Sequence, residues 1–390
     1  MEKIWSTLKS AVKNVDPVLF CCATLLSIIS IVTVYGAVDN FGMSKLKMQV
    51  FIFFVGMIVT VVIASIDYRV IVEKLWMPML IGSVLLLVIT LIFGTTGVTM
   101  DTGQKSWLKI PFIGVMIQPS EFVKFTFICT FGRHLYLVKD HINRPKTVLF
   151  LAFHALLVVG PILLSKDLGV ALIYLVIIAL MLFCAGLHPG YFGAAILALI
   201  LLAPYLWEQL APYQQQRIIA GFNPELDPLG YGMQALQSRQ AIAAGGFLGV
   251  GLLTGGHYEI LPASHTDFIF ATVCEKFGFL GGSLVLIIFI VMVVRIIMIA
   301  RTATQSDYGG LICIGIASML IVQILLNIGM CFAMLPVIGI TLPFLSCGGS
   351  SMLATFMMFG LLHSVYSHSN AVRTAMTPDH FDIDISLLHS

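Results

Sequence analysis

Residues 76–95 read WMPMLIGSVLLLVITLIFGT, twenty consecutive positions without a charged side chain. Wound as a helix rising about 1.5 Å per residue, such a run crosses the roughly 30 Å hydrocarbon core of a bilayer. Comparable runs recur on both sides of it. They predict about ten transmembrane helices, at 17–37, 48–66, 76–95, 120–138, 147–165, 168–185, 191–207, 267–294, 309–330 and 341–366. The expected fold class is an all-α polytopic membrane protein, with a transmembrane domain over 1–366 and a polar cytoplasmic tail over 367–390. The run at 120–138 is the weakest, because Glu121, Lys124, Arg133 and His134 interrupt it.

Composition leads to the same class. Apolar residues make up 59% of the chain, charged residues 10%, and mean hydropathy is +1.00. A soluble domain carries about 25% charged residues, so this chain cannot cover a water-exposed surface. The net charge of +2 gives no reason to expect a nucleic-acid partner. The first run follows a Lys-bearing N-terminus and resembles a signal peptide, but its length and the spans after it favour a retained helix.

Basic residues set the orientation. With the N-terminus inside, twelve Lys and Arg fall on the cytoplasmic side, and seven (Lys45, Lys47, Lys105, Lys109, Lys166, Arg217 and Arg239) on the other. Both termini are therefore expected in the cytoplasm. The eight cysteines lie in predicted helices or at their ends and form no C-x-x-C pair, which reads as buried free thiols rather than a metal site or a disulfide framework.

Two connections on the outer side are long, about 96–119 and 208–266. Long connections inside compact domains are usually functional or disordered. The second holds a Gly-rich apolar stretch from Ala241 to Gly256 with Trp207, Tyr213, Phe222, Tyr231 and Tyr258 around it, and reads as a folded cap.

Ionisable residues at membrane depth are costly and are functional candidates by default. Glu121 and Lys124 share a helix face three residues apart; they are either an internal ion pair or a site where Lys124 holds an anion. Asp267 lies in the run Ser264-His265-Thr266-Asp267-Phe268-Ile269-Phe270, where a loop turns into a helix. It either caps that helix, worth up to about 1 kcal/mol, or serves as a general base at the mouth of the bundle. The stretch Leu335 to Ser351 contains Pro336, Pro343 and Gly348-Gly349-Ser350-Ser351. It is either irregular backbone held by protein or a wet cavity, or a close helix contact through small residues. These residues alone do not separate a transporter from an enzyme.

Several stretches carry a resemblance. They are Gly103-Gln104-Lys105-Ser106-Trp107-Leu108, Gln118-Pro119-Ser120-Glu121-Phe122-Val123-Lys124, Asp167-Leu168-Gly169 and Asn223-Pro224-Glu225-Leu226-Asp227-Pro228-Leu229-Gly230. The His265 to Phe270 run, Asn327-Ile328-Gly329 and Leu342 to Ser351 complete the set. In this order, over about 16–366, they resemble the SEDS family (shape, elongation, division and sporulation), and within it the RodA branch more than the FtsW branch.

The resemblance implies a peptidoglycan glycosyltransferase of the bacterial cytoplasmic membrane. Such an enzyme polymerises lipid II into β-1,4 glycan strands on the outer face, releases undecaprenyl pyrophosphate, and works with a class B penicillin-binding protein. It implies Asp267 as the catalytic carboxylate. Lys124, Glu121, Trp107, Gln118, Arg217, Arg239, His265, Ser346 and Ser350 are the substrate-binding candidates. Lys124, Arg217, Arg239 or a bound divalent cation (Mg or Mn) would stabilise the departing pyrophosphate. Three positions depart from the family pattern: Ser165-Lys166 stands for Gln-Pro, Glu275-Lys276 for paired glutamates, and Cys347 for a tyrosine. The first two departures are expected to add positive charge near the cavity. A lipid II flippase and a non-catalytic scaffold activating the penicillin-binding protein remain as rival readings.

Overall fold

The computed structural model describes residues 15–96, 105–109, 116–303 and 308–376. Ten helices occupy the ten expected spans: α1 Pro17–Tyr35, α3 Met43–Ala64, α4 Tyr68–Phe93, α5 Pro119–Leu137, α6 Pro145–Leu164, α7 Leu168–Cys184, α8 Pro189–Gln209, α12 Ile269–Ala303, α13 Gly309–Cys331 and α14 Gly349–Met376. The short α2, Val38–Phe41, lies between α1 and α3. Seven of the ten are long and apolar enough to cross a membrane by themselves. The other three are α7, with 17 residues, α5, which carries the charged residues, and α14. Proline opens α1, α5, α6 and α8, where its missing N–H would have no helical partner.

The helices alternate in direction, so the start of α1 and the end of α14 lie at one end of the bundle. The segment between α8 and α12 lies at the other, the capped end. It is helical: α9 Pro212–Phe222, α10 Met233–Gly245 and α11 His257–Ile260. Two two-residue strands, β1 Leu108–Lys109 and β2 Met116–Ile117, pair antiparallel. Most of the connection between α4 and α5, including Gly103 and Gln104, and the tail 377–390 lie outside the described residues. The last helix runs to Met376, ten residues past its expected end.

A break in α12 ties the cap to the bundle. Gly278 sits at φ 65° and splits the helix. The carbonyls freed there find new donors: Val250 N–H reaches Glu275 O at 2.9 Å and Gly251 N–H reaches Lys276 O at 3.2 Å. On the far side, Phe279 N–H donates to Gly246 O at 2.9 Å. Backbone freed at membrane depth must be paired again inside the protein. Glycine is needed at Gly245 and Gly249, because a Cβ there would lie 1.9 Å from Cys274 O and 2.1 Å from Lys276 O.

The charged side chains beside the break reinforce it. Glu275, fully buried, accepts from the amides of Gly256, His257 and Tyr258 at 2.8–3.0 Å. Lys276 donates to Gly36 O and Leu252 O at 2.9 and 2.8 Å, with its ammonium 4.2 Å from the Tyr258 ring centre. Lys276 therefore adds no charge to the cavity described below, contrary to the sequence expectation. Its charge is spent on two carbonyls that join the end of α1 to the cap.

The last span differs from expectation. A helix was expected from 341, but residues 332–348 are non-helical and α14 starts at Gly349. Pro336 and Pro343 interrupt helical bonding, and Ala333, Gly339 and Phe344 have φ of 58°, 68° and 62°. The irregular reading of this stretch is the observed one. Small residues do mediate close packing, but between α3 and α14: a Cβ on Gly56 would lie 2.2 Å from the Phe356 ring. All eight cysteines are free; Cys21 and Cys184 are exposed rather than buried, on helices with outward apolar faces.

At the other end, Asp16 is fully buried. It caps α1 through Leu19 N–H at 3.0 Å and receives two hydrogen bonds from Arg295 of α12, at 2.9 and 2.6 Å. Breaking a buried pair from one side leaves an uncompensated charge. Asp16→Ala is expected to cost on the order of 2–3 kcal/mol, read as a lowered thermal unfolding midpoint in detergent, whereas an unchanged midpoint would show that the pair contributes nothing.

Candidate active site

Residues 261–268 form a turn that delivers the chain into α12, and Asp267 lies in it. Three consecutive carbonyls of this turn are clamped. His265 O accepts from Cys347 N–H at 2.9 Å, Thr266 O from the Ser346 hydroxyl at 2.6 Å, and Asp267 O from the Asn327 amide at 2.7 Å. The same Asn327 amide nitrogen donates to Ile340 O at 2.6 Å. Ser346 in turn accepts from Leu342 N–H at 2.7 Å. The irregular stretch 332–348 thus exists as a cradle around the Asp267 turn. Asn327 and Ser346 are buried, so each satisfied bond avoids the penalty of an unpaired polar group.

The Asp267 carboxylate caps no helix amide among the described residues, and the neighbouring Thr266 hydroxyl donates to Ala263 O at 3.2 Å. Burial pushes its pKa up to about 6, against the opposing pull of Arg217 and Thr266. A carboxylate with its pKa raised by desolvation and a cation beside it is a recurrent feature of functional sites. Gly339 lies against it: a Cβ there would be 3.4 Å from Asp267 Oδ2.

Arg217 comes from α9 of the cap. Burial lowers its pKa, and the charges of Asp267 and Asp167 act in the opposite direction, as do Tyr213 and Tyr231. Its guanidinium makes no hydrogen bond among the described residues. It lines a cavity of about 70 Å³ together with Lys166, Asp167, Tyr213, Pro336 and Ile338. A second cavity of about 10 Å³, lined by Thr90, Ser106, Ser120, Ser165 and Asp167, shares Asp167 with the first.

Asp167 is buried and caps α7, accepting from Val170 N–H at 3.2 Å. Its other oxygen receives Gln118 Nε2 at 3.4 Å. The amide N–H of Gln118 donates to the Ser350 hydroxyl at 3.2 Å, which joins the starts of α5, α7 and α14. Gln118 and Ser350 therefore stand behind the cavity wall.

The remaining candidates are spread out. Lys124 and Glu121 form a fully buried ion pair at 2.8 Å, the first of the two sequence readings, and neither lines the cavities. Arg239 pairs with Glu225 at 3.2 Å on the exposed face of the cap, with no contact to Asp267. Trp107 is bridged through its backbone to Thr95, beyond α4. His265 packs 5.1 Å from the Phe41 ring; burial, and then the charge of Lys45, lower its pKa to about 4. Asn327 lies in the Asn327-Ile328-Gly329 motif, whose sequence alone points to no role for it. An amide in the apolar helix α13 was the available signal.

The profile of the FtsW/RodA/SpoVE family, described as a cell cycle protein family, matches residues 16–371. Stage V sporulation protein E of Bacillus subtilis (strain 168) is 34% identical over 91% of this chain and 97% of that protein. A probable peptidoglycan glycosyltransferase FtsW of Trichlorobacter lovleyi is 34% identical over 90% of this chain and 92% of its own length. Peptidoglycan glycosyltransferase MrdB of Escherichia coli (strain K12) is 32% identical over 91% and 94%. Among solved structures, a peptidoglycan synthase complex described for coordinating polymerization and crosslinking superposes with a TM-score of 0.77 at 26% identity, covering 91% of this chain and 98% of the matched chain. The rod shape determining protein RodA of Thermus thermophilus shares the fold, with a TM-score of 0.67 at 24% identity over 90% and 96%. The chain belongs to the FtsW/RodA/SpoVE family, which is the SEDS family its motifs resemble.

Proposed function

We propose that this chain is a peptidoglycan glycosyltransferase that polymerises lipid II on the outer face of the bacterial cytoplasmic membrane. The observation that carries the proposal is the Asp267 carboxylate, fixed by a clamped turn, with Arg217 beside it at the rim of a cavity. The relatives named peptidoglycan glycosyltransferase support the reaction class.

In this reading Asp267 accepts the proton of the acceptor sugar's 4-hydroxyl. The freed oxygen bonds to the anomeric carbon of the donor, and the bond from that carbon to the diphosphate breaks. Undecaprenyl pyrophosphate leaves with the electron pair, and Arg217 stabilises the charge that develops on it. Among the described residues no three of His, Cys, Asp and Glu converge as metal ligands. A divalent cation, Mg or Mn, would supply charge stabilisation at the substrate's diphosphate.

The capped end is the outer end in this account. The basic-residue bias supports this orientation, with both termini at the opposite end. α8 has no buried residue, as suits a helix facing lipid. The similarity to a synthase complex that couples polymerization with crosslinking supports a class B penicillin-binding protein as partner, and cell elongation and shape maintenance are the proposed setting.

The test is lipid II polymerisation by the purified chain with that partner. Wild type is expected to give glycan ladders, and Asp267→Asn none while remaining folded and partner-bound. Ladders from Asp267→Asn would remove it as the base. The ionised form of Asp267 is the active one, so the rate should rise with pH through about 6 and level off above it. Below that point it should fall roughly tenfold per pH unit. A profile flat from pH 5 to 8, about one unit below and two above, would contradict a base with this raised pKa.

A further inference from the structure

Lys166 occupies a position with no structural need for lysine. It ends α6 in a left-handed conformation, φ 62°. Lys166 N–H donates to Leu163 O at 3.0 Å and Asp167 N–H to Ile162 O at 3.3 Å, the bonding of a helix end that ordinarily selects glycine. A side chain here brings backbone strain. Its ammonium has no partner among the described residues, and Lys166 is exposed. It lines the same cavity as Arg217, whose guanidinium likewise makes no hydrogen bond among the described residues.

Two cations thus face one small cavity. Its remaining lining includes the first turn of α7, Leu168 and Gly169, the end of a helix that favours anions. The one carboxylate on the wall, Asp167, is already engaged by Val170 N–H and Gln118. A pair of unpaired cations with planar and point-charge geometry suits a ligand with several phosphate oxygens.

We propose that Lys166 and Arg217 together form the binding site for the diphosphate of the polyprenyl-linked donor, with Lys166 as an affinity-determining residue. This rests on the reading of the chain as a glycosyltransferase. Asp267 lies within the electrostatic reach of Arg217, so a diphosphate bound at the two cations would lie near that carboxylate. The charge of Lys166 is what a strained side chain at this helix end contributes.

The position itself supplies a clean test. Lys166→Gly suits the left-handed backbone, so it should raise the unfolding midpoint or leave it unchanged. It should weaken binding of inorganic pyrophosphate to the purified full chain by about tenfold, the scale of one charge-assisted hydrogen bond. Lys166→Arg should restore most of that binding. In polymerisation, Lys166→Gly should raise KM for lipid II by a similar factor and change kcat less.

Unchanged pyrophosphate affinity in Lys166→Gly would overturn the proposal while leaving polymerisation by wild type, and the enzyme reading, standing. Lys166-dependent pyrophosphate binding in a chain that makes no glycan would keep the site and defeat the enzyme reading. The titration is run in nanodiscs of zwitterionic lipid and again with phosphatidylglycerol. Loss of pyrophosphate binding in the anionic discs, beyond the shift expected from surface charge, would assign the two cations to phospholipid headgroups and overturn the proposal.

Discussion

The side-chain amide of Asn327 holds two carbonyls that belong to different parts of the chain, Asp267 O and Ile340 O. A buried carbonyl left unpaired costs about 1–3 kcal/mol. The amide therefore locks the Asp267 turn and the stretch 332–348 into one unit. Ser346 and Cys347 add bonds to Thr266 O and His265 O, so three successive peptide groups leading to the carboxylate are fixed. Sites are most exact when the supporting layer is itself hydrogen-bonded and packed.

The same economy of backbone bonds explains the cap. Where α12 breaks at Gly278, the freed carbonyls of Glu275 and Lys276 take the amides of Val250 and Gly251 and so hold the loop. Glu275 and Lys276 complete the join with three amides and two carbonyls. A cap anchored in this way holds α9 and its Arg217 over the bundle, beside the Asp267 turn. One irregular helix positions both charged partners.

The spans were legible in the sequence because crossing a bilayer demands long apolar runs, and composition reveals those directly. Even the weak run at 120–138 became α5, since Glu121 and Lys124 neutralise each other inside it. The start of the last helix was not legible. Thr341 to Cys347 are apolar enough for a span, and only the cradle they make around residues 265–267, about eighty positions earlier, explains their irregular path. Asp267 stood out because its carboxylate lies where the long outer loop enters a helix, within the His265 to Phe270 run that resembles the family. Arg239 and Arg217 looked alike from sequence, yet one faces Glu225 on the surface and the other the cavity. That difference is a matter of which helix of the cap each one sits on. The partners of Asn327 lie 60 and 13 residues away, beyond any local pattern.

In the proposed reaction it is the clamp, and not merely the presence of a carboxylate, that makes Asp267 a base. Turnover of Asn327→Leu, which keeps the branched side-chain shape and removes the donor, is the test. The account predicts kcat reduced by about a hundredfold, the scale of a misplacement near 1 Å, with KM for lipid II close to wild type and the protein still folded and partner-bound. A kcat equal to wild type in that variant would show that Asp267 needs no clamp, and would contradict the account.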